Sequence, residues 1–266
     1  MTQIPSHAPA AVTKSMAAWH DMVARRDLAR MLQPAAYLLA PVLIYQGGRL
    51  RRTIPRLPEA ADPDGTAGGR APAIRLAVFG DSTAAGVGAE RHQDALAGLL
   101  GAAVAAETGR QVSWRAVARS GATSRTARDL VPGLVTQDWR PDVVVLLIGV
   151  NDLKNLRRLR EWDRDVPALL AAIGQTTGGC PVIVSGMAPV SRFPALPQPM
   201  RAVLALRAKA MDQVLRRVAG QRHVPVTPQM IRSGFFAEDG FHPSSTGYRS
   251  WAAELAGPVV RAVPAP

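Results

Sequence analysis

Hydrophobic positions change their rhythm near residue 70. From there to the C-terminus, short continuous apolar runs alternate with stretches in which apolar residues recur every three or four positions. Runs of the first kind predict buried strands, and spacing of the second kind predicts amphipathic helices. Residues 76–79 (LAVF), closed by Gly80, predict a first strand, and residues 112–117 (VSWRAV) a second. Between them Leu96, Leu99, Leu100 and Val104 share one helical face. Residues 142–148 (DVVVLLI) carry the strongest strand signal, a β-branched run suited to a strand covered on both faces. Trp162, Val166, Leu169, Leu170 and Ile173 have helical spacing, and residues 181–185 (PVIVS) predict the fourth strand. Leu204, Met211, Leu215 and Val218 mark a helix, residues 223–226 a short fifth strand, and Trp251, Leu255 and Val259 a closing helix. This alternation predicts an α/β fold, a three-layer α/β/α sandwich around a five-stranded parallel sheet. Ligands of such sheets bind beyond the carboxyl ends of the strands.

Ahead of this region the pattern is different. Pro55, Pro58 and Pro63, with Gly65, Gly68 and Gly69, form a stretch rich in chain breakers that reads as a linker. The expected division is therefore an N-terminal extension, residues 1–70, and a domain over residues 71–266. In the extension Met16, Trp19 and Val23 have helical spacing, and Ala35–Tyr45 (AAYLLAPVLIY) is an apolar run. A membrane-spanning helix needs about 20 apolar residues, and Pro41 interrupts this shorter run. Arg25, Arg26 and Arg30 precede it, and Arg49, Arg51 and Arg52 follow. Three readings stand: a segment packed on the domain, a peripheral membrane contact with arginines at the headgroups, and an export signal. No A-x-A cleavage site follows closely, which counts against the third. Cytoplasmic and peripheral-membrane locations are both consistent with this pattern, and export stays open.

Charge narrows the picture less than its size suggests. The formal net charge is +12, from 32 Lys+Arg against 20 Asp+Glu, and lysine occurs only at Lys14, Lys154 and Lys209. A solvated arginine surface explains this. No zinc finger, RNP-like aromatic motif or block of clustered Lys/Arg points to nucleic acid, so no nucleic-acid partner is expected. The single cysteine, Cys180, excludes an intramolecular disulfide and a thiolate zinc cluster.

The polar motifs fall where the strands end. Gly80-Asp81-Ser82-Thr83 follows the first strand, Ser120-Gly121-Ala122-Thr123 the second, and Gly149-Val150-Asn151-Asp152 the DVVVLLI strand. Asp239-Gly240-Phe241-His242-Pro243 stands before the closing helix. Acyl transfer by serine requires a base for the hydroxyl, a carboxylate to hold that base in one tautomer, and donors for the developing oxyanion. Ser82, expected in a tight turn between strand and helix, fits the nucleophile. His242 fits the base, and Asp239 its orienting acid. Backbone N–H groups of Ser82 and Gly121, with the side-chain amide of Asn151, fit an oxyanion hole. Each residue also has a plainer explanation. Ser82 could cap a helix, Asp239 and Asn151 could form turns, and Asp81 and Asp152 read as structural. His7, His20, His92 and His223 read as structural or surface residues.

With these four blocks in this order, the chain resembles the GDSL/SGNH hydrolase family. FGDST matches its first block, the glycine of SGATS its second, GVND its third and DGFHP its fifth. Thr83 stands where the family name has leucine. The resemblance spans residues 74–262 and implies a flavodoxin-like fold with strand order 2-1-3-4-5. It also implies a serine esterase or lipase acting on a small-molecule or lipid ester, with no metal and no organic cofactor. Other signatures fail: the third glycine of G-x-G-x-x-G falls on Arg91, no P-loop is present, and Ala84 breaks G-x-S-x-G. A phospholipase or lysophospholipase of the same family, and a non-catalytic membrane-associated binding module on this fold, remain the alternatives.

Overall fold

A computed structural model describes residues 39–263. The chain divides into two units between Arg52 and Thr53. In the first, helix α1 (residues 39–53) continues beyond Pro41 and exposes Val42, Ile44 and Tyr45. The remainder of the apolar run, and the spacing at Met16, Trp19 and Val23, lie outside the described residues. No helix among the described residues is long and apolar enough to cross a membrane.

The second unit is built on a six-stranded sheet ordered β1-β3-β2-β4-β5-β6. Its strands are β1 (Asp64–Ala67), β2 (Arg70–Gly80), β3 (Arg110–Ala118), β4 (Val143–Leu147), β5 (Val182–Ser185) and β6 (His223–Val224). Strands β2 to β6 are parallel and are the five expected ones, in the expected order. All five residues of β4 are buried, as a strand covered on both faces requires.

The sixth strand corrects the linker reading. β1 pairs antiparallel with β3, with Asp64 opposite Arg115 and Ala67 opposite Val112. Its breakers are the turn that carries the chain from one side of β3 to the other. At Gly69 (φ +87°) the backbone presses on that of Arg110, where a Cβ would stand 2.0 Å from the Arg110 carbonyl carbon. Upstream, Ala61 N–H bonds to Glu90 and His92 N–H to Ala61, so residues 60–69 belong to the domain.

Helices α2 (Leu96–Thr108) and α6 (Ser245–Ala262) pack on each other over one sheet face. α4 (Leu159–Thr177) and α5 (Met200–Ala219) form the opposite layer, and α3 (Val150–Lys154) is a short helix after β4. Two buried indole N–H groups in the core find partners, as burial demands. Trp162 Nε1 donates to the Met211 carbonyl at 3.1 Å, and Trp251 Nε1 to Ser185 Oγ at 3.0 Å.

Candidate active site

Three adjacent strands deliver the first three motif blocks to one rim. β2 lies between β3 and β4, so Ser82, just beyond β2, is flanked by the Gly121 turn on one side and Asn151 on the other. No helix follows Ser82 directly, contrary to expectation: residues 82–88 form consecutive turns, and α2 begins only at Leu96. Gly86 and Gly88, both with positive φ, keep the segment from propagating as a helix. Ser82 therefore caps no helix.

Two contacts fix this turn against the C-terminal loop. Tyr248, fully buried on α6, donates its hydroxyl to the Val87 carbonyl at 2.7 Å. At Gly88 (φ +99°) a Cβ would stand 2.2 Å from the Pro243 carbonyl oxygen. Glycine there lets the backbone that follows Ser82 lie directly against the Pro243 carbonyl, one residue after His242.

The loop before α6 folds back on itself. Phe236 bridges Pro243, and Ala237 N–H donates to the His242 carbonyl at 2.8 Å. Inside it, Asp239 Oδ1 accepts the N–H groups of Phe241 and His242, each at 2.9 Å. Its other oxygen, Oδ2, accepts from His242 Nδ1 at 2.5 Å. With Nδ1 donating, Nε2 carries a lone pair. Ser82 Oγ lies 3.0 Å from that Nε2 and donates to it. The Asp239 side chain is wholly buried, whereas the His242 ring keeps 18% of its surface in solvent. Burial alone would raise the Asp239 carboxyl, but the bonds from His242 and the two backbone N–H groups hold it below the usual carboxylate range.

Asn151 stands in the first turn of α3, 4% exposed. Its amide donates to the Ala122 carbonyl at 3.0 Å, which uses one N–H and leaves the second for another acceptor. Gly121 has φ +84° and open space above its α-carbon. A second tie joins the same two loops: Asp152 accepts the Ser124 N–H at 2.8 Å and the Ser124 hydroxyl at 2.7 Å. Asp81 accepts the Thr83 N–H at 3.0 Å, and complete burial pushes its carboxyl up to about 6. Both aspartates brace the loops around Ser82.

Other features were not visible in the motifs. Phe193, Phe235, Phe236 and Phe241, four of the chain's five phenylalanines, line a depression that ends on Ser82 and His242. The side chain of His223, expected to be structural or at the surface, is buried and pairs with Asp212 at 3.0 Å. His92 is also buried, its Nδ1 unpaired, and burial lowers its pKa. His7 and His20 lie outside the described residues. Among the described residues, no cluster of three or more His, Cys, Asp or Glu is arranged to hold a metal ion.

A largely parallel sheet between helical layers, with Asp239, His242 and Ser82 hydrogen-bonded in series at the carboxyl rim of its strands, defines an α/β/α protein with one polar cluster at that rim. The profile of the GDSL-like lipase/acylhydrolase family matches residues 78–250, and the chain belongs to that family. It is similar to the GDSL-like esterase Rv1075c of Mycobacterium tuberculosis, with 28% identity over 198 residues. That match covers 68% of this chain but only 60% of the relative's length. The fold is similar to that of a lipase/acylhydrolase from Enterococcus faecalis (TM-score 0.56, 23% identity), covering 72% of this chain and 97% of the other. It is also similar to that of a family 3 carbohydrate esterase from Clostridium thermocellum (TM-score 0.55, 20% identity), covering 71% and 98%.

Proposed function

We propose that this chain is a serine esterase that hydrolyses carboxylic esters, with Ser82 as nucleophile, His242 as general base and Asp239 as its orienting acid. The reading rests above all on the 2.5 Å and 3.0 Å contacts that link Asp239, His242 and Ser82 in series. The tertiary fold brings Ser82 and His242 together across 160 positions of sequence. Such an order, in which one imidazole nitrogen is held by a carboxylate and the other faces a hydroxyl, is what acyl transfer by serine requires.

In the proposed reaction Ser82 Oγ attacks the ester carbonyl as its proton passes to His242 Nε2. The tetrahedral oxyanion is held by the N–H groups of Ser82 and Gly121 and by the free N–H of the Asn151 amide. Asn151 is suited to this because its bond to Ala122 fixes the amide plane before substrate arrives. The C–O bond to the alcohol breaks as His242 returns the proton to the leaving oxygen. Water then attacks the acyl-Ser82 ester through the same base, releasing the acid and restoring the hydroxyl. A fluorophosphonate probe tests this directly: it should label the wild type at Ser82 and leave Ser82→Ala unlabelled. Labelling at any other serine, or none, refutes the assignment.

A second reading concerns α1. Ile44 and Tyr45 are 75% and 69% exposed, and Arg49, Arg51 and Arg52 follow them. We infer a peripheral contact with an anionic lipid surface through this segment. Deleting residues 16–52 should abolish co-sedimentation with anionic liposomes and leave turnover of soluble esters intact. Retained liposome binding sinks this reading.

A further inference from the structure

The phenylalanine wall has a continuous construction. Phe235 packs near Trp251 (6.4 Å between ring centroids) and edge-on to Phe236 (5.1 Å). Phe236 meets Phe193 at 5.3 Å, Phe193 meets Phe241 at 5.0 Å, and Phe241 meets the His242 imidazole at 5.3 Å. Rings from three separate segments thus form one chain of contacts that ends on the proposed base. Edge-to-face aromatic packing is directional and resists collapse or widening.

The space these rings enclose is small. Its cavity volume is about 20 Å³, and Val150, Ala188, Ile231 and Trp251 line the rest of it. A cavity of that size admits about one water-sized group, comparable to a methyl. Apart from Ser82, Thr83 and His242, the lining side chains are apolar or aromatic, so the space suits a hydrocarbon group.

Which arm of an ester enters follows from the order of events. The alcohol must depart and water must arrive beside His242 Nε2 between the two halves of the reaction. A narrow apolar recess is a poor route for either, whereas the acyl group stays bonded to Ser82 between those halves. We propose that this recess is the acyl pocket and that it makes the protein selective for very short acyl groups, acetyl and propionyl. This rests on the serine-esterase reading above and adds to it the class of acyl group. Phe193 and Phe236 set the length limit, acting as specificity residues rather than in the proton relay.

The test holds p-nitrophenol constant and varies the acyl chain through acetate, butyrate and octanoate. Since one methylene too many in a tight apolar pocket costs roughly 10- to 200-fold, kcat/KM should fall at least about tenfold from acetate to octanoate. Phe193→Ala and Phe236→Ala, made separately so that one can fail to fold without ending the test, should each raise the octanoate-to-acetate ratio at least about tenfold. Lengthening the alcohol in a series of acetate esters should leave kcat/KM within about threefold. A wild type that prefers octanoate overturns the proposal, as does a folded, fluorophosphonate-labelled variant with an unchanged ratio. Greater sensitivity to alcohol length than to acyl length also overturns it. Loss of both probe labelling and all ester turnover in the wild type would instead bring down the esterase reading itself, and the pocket assignment with it.

Discussion

Among the described residues two aspartate–histidine pairs stand out, one of which faces a serine. Asp239 meets His242 Nδ1 at 2.5 Å, and the opposite nitrogen reaches Ser82. Asp212, on α5, meets His223 Nε2 at 3.0 Å, and the same carboxylate also accepts the Met187 N–H at 2.9 Å and Arg216 Nε at 2.8 Å. The first pair lies in a loop at the carboxyl rim, with part of its imidazole in water. The second has its histidine at the start of β6, with 4% of its side chain exposed, and its aspartate tied to the backbone that leaves β5. A carboxylate beside an imidazole is therefore not enough to define a base. What the second nitrogen faces decides between chemistry and scaffolding.

The largest effect expected from this contrast is at the nucleophile. Ser82→Ala should lower kcat for p-nitrophenyl acetate by roughly 10⁴- to 10⁶-fold, and retention of most activity would erase the distinction between the pairs. Asp239→Asn should follow at roughly 10³- to 10⁴-fold, since the amide no longer selects the tautomer with a lone pair on Nε2. Burst and steady-state kinetics with the unfolding midpoint unchanged would locate that loss in chemistry. A smaller loss, roughly 10²- to 10³-fold in kcat, is expected for Asn151→Ala. A change below about threefold would remove Asn151 from the oxyanion role and leave it as a tie between loops.

The same contrast explains what the sequence could reveal. The strand at β4 was plain because its apolar run is continuous, and the four motif blocks were plain because each combines a glycine, a polar residue and a strand end. β1 was hidden because Gly65, Gly68 and Gly69 look like breakers until their packing around β3 is known. The turns after Ser82 look in sequence like a direct entry into a helix, since apolar spacing cannot reveal where Gly86 and Gly88 take positive φ. Asp212 and His223 are 11 positions apart and straddle the end of α5, so no periodic pattern joins them. Phe193 meets Phe236 and Phe241 only through tertiary structure, and the wall around the pocket was invisible for that reason.

The smallest effect separates Asp212 from the buried Asp81 by the sign of their pH response. Burial by itself would raise Asp212, but the bonds from His223, Arg216 and the Met187 N–H bring it down from 3.8 to about 2. A carboxylate with a depressed folded pKa binds fewer protons when native, so its stabilisation is full above the unfolded value and fades as pH falls from about 4 toward 2. Asp212→Asn should accordingly cost on the order of 2 kcal/mol at pH 7 and little at pH 2, with kcat unchanged. Asp81 runs the other way. Raised by burial from 3.8 to about 6, it holds its proton longer in the native state, so its stability contribution declines as pH climbs from about 4 through 6. Asp81→Asn should therefore gain stability relative to the wild type at pH 7 and show no gain near pH 4. Denaturant titrations of both variants at several pH values check this, and parallel pH curves for the two would mean that burial and hydrogen bonding do not set these carboxylates apart.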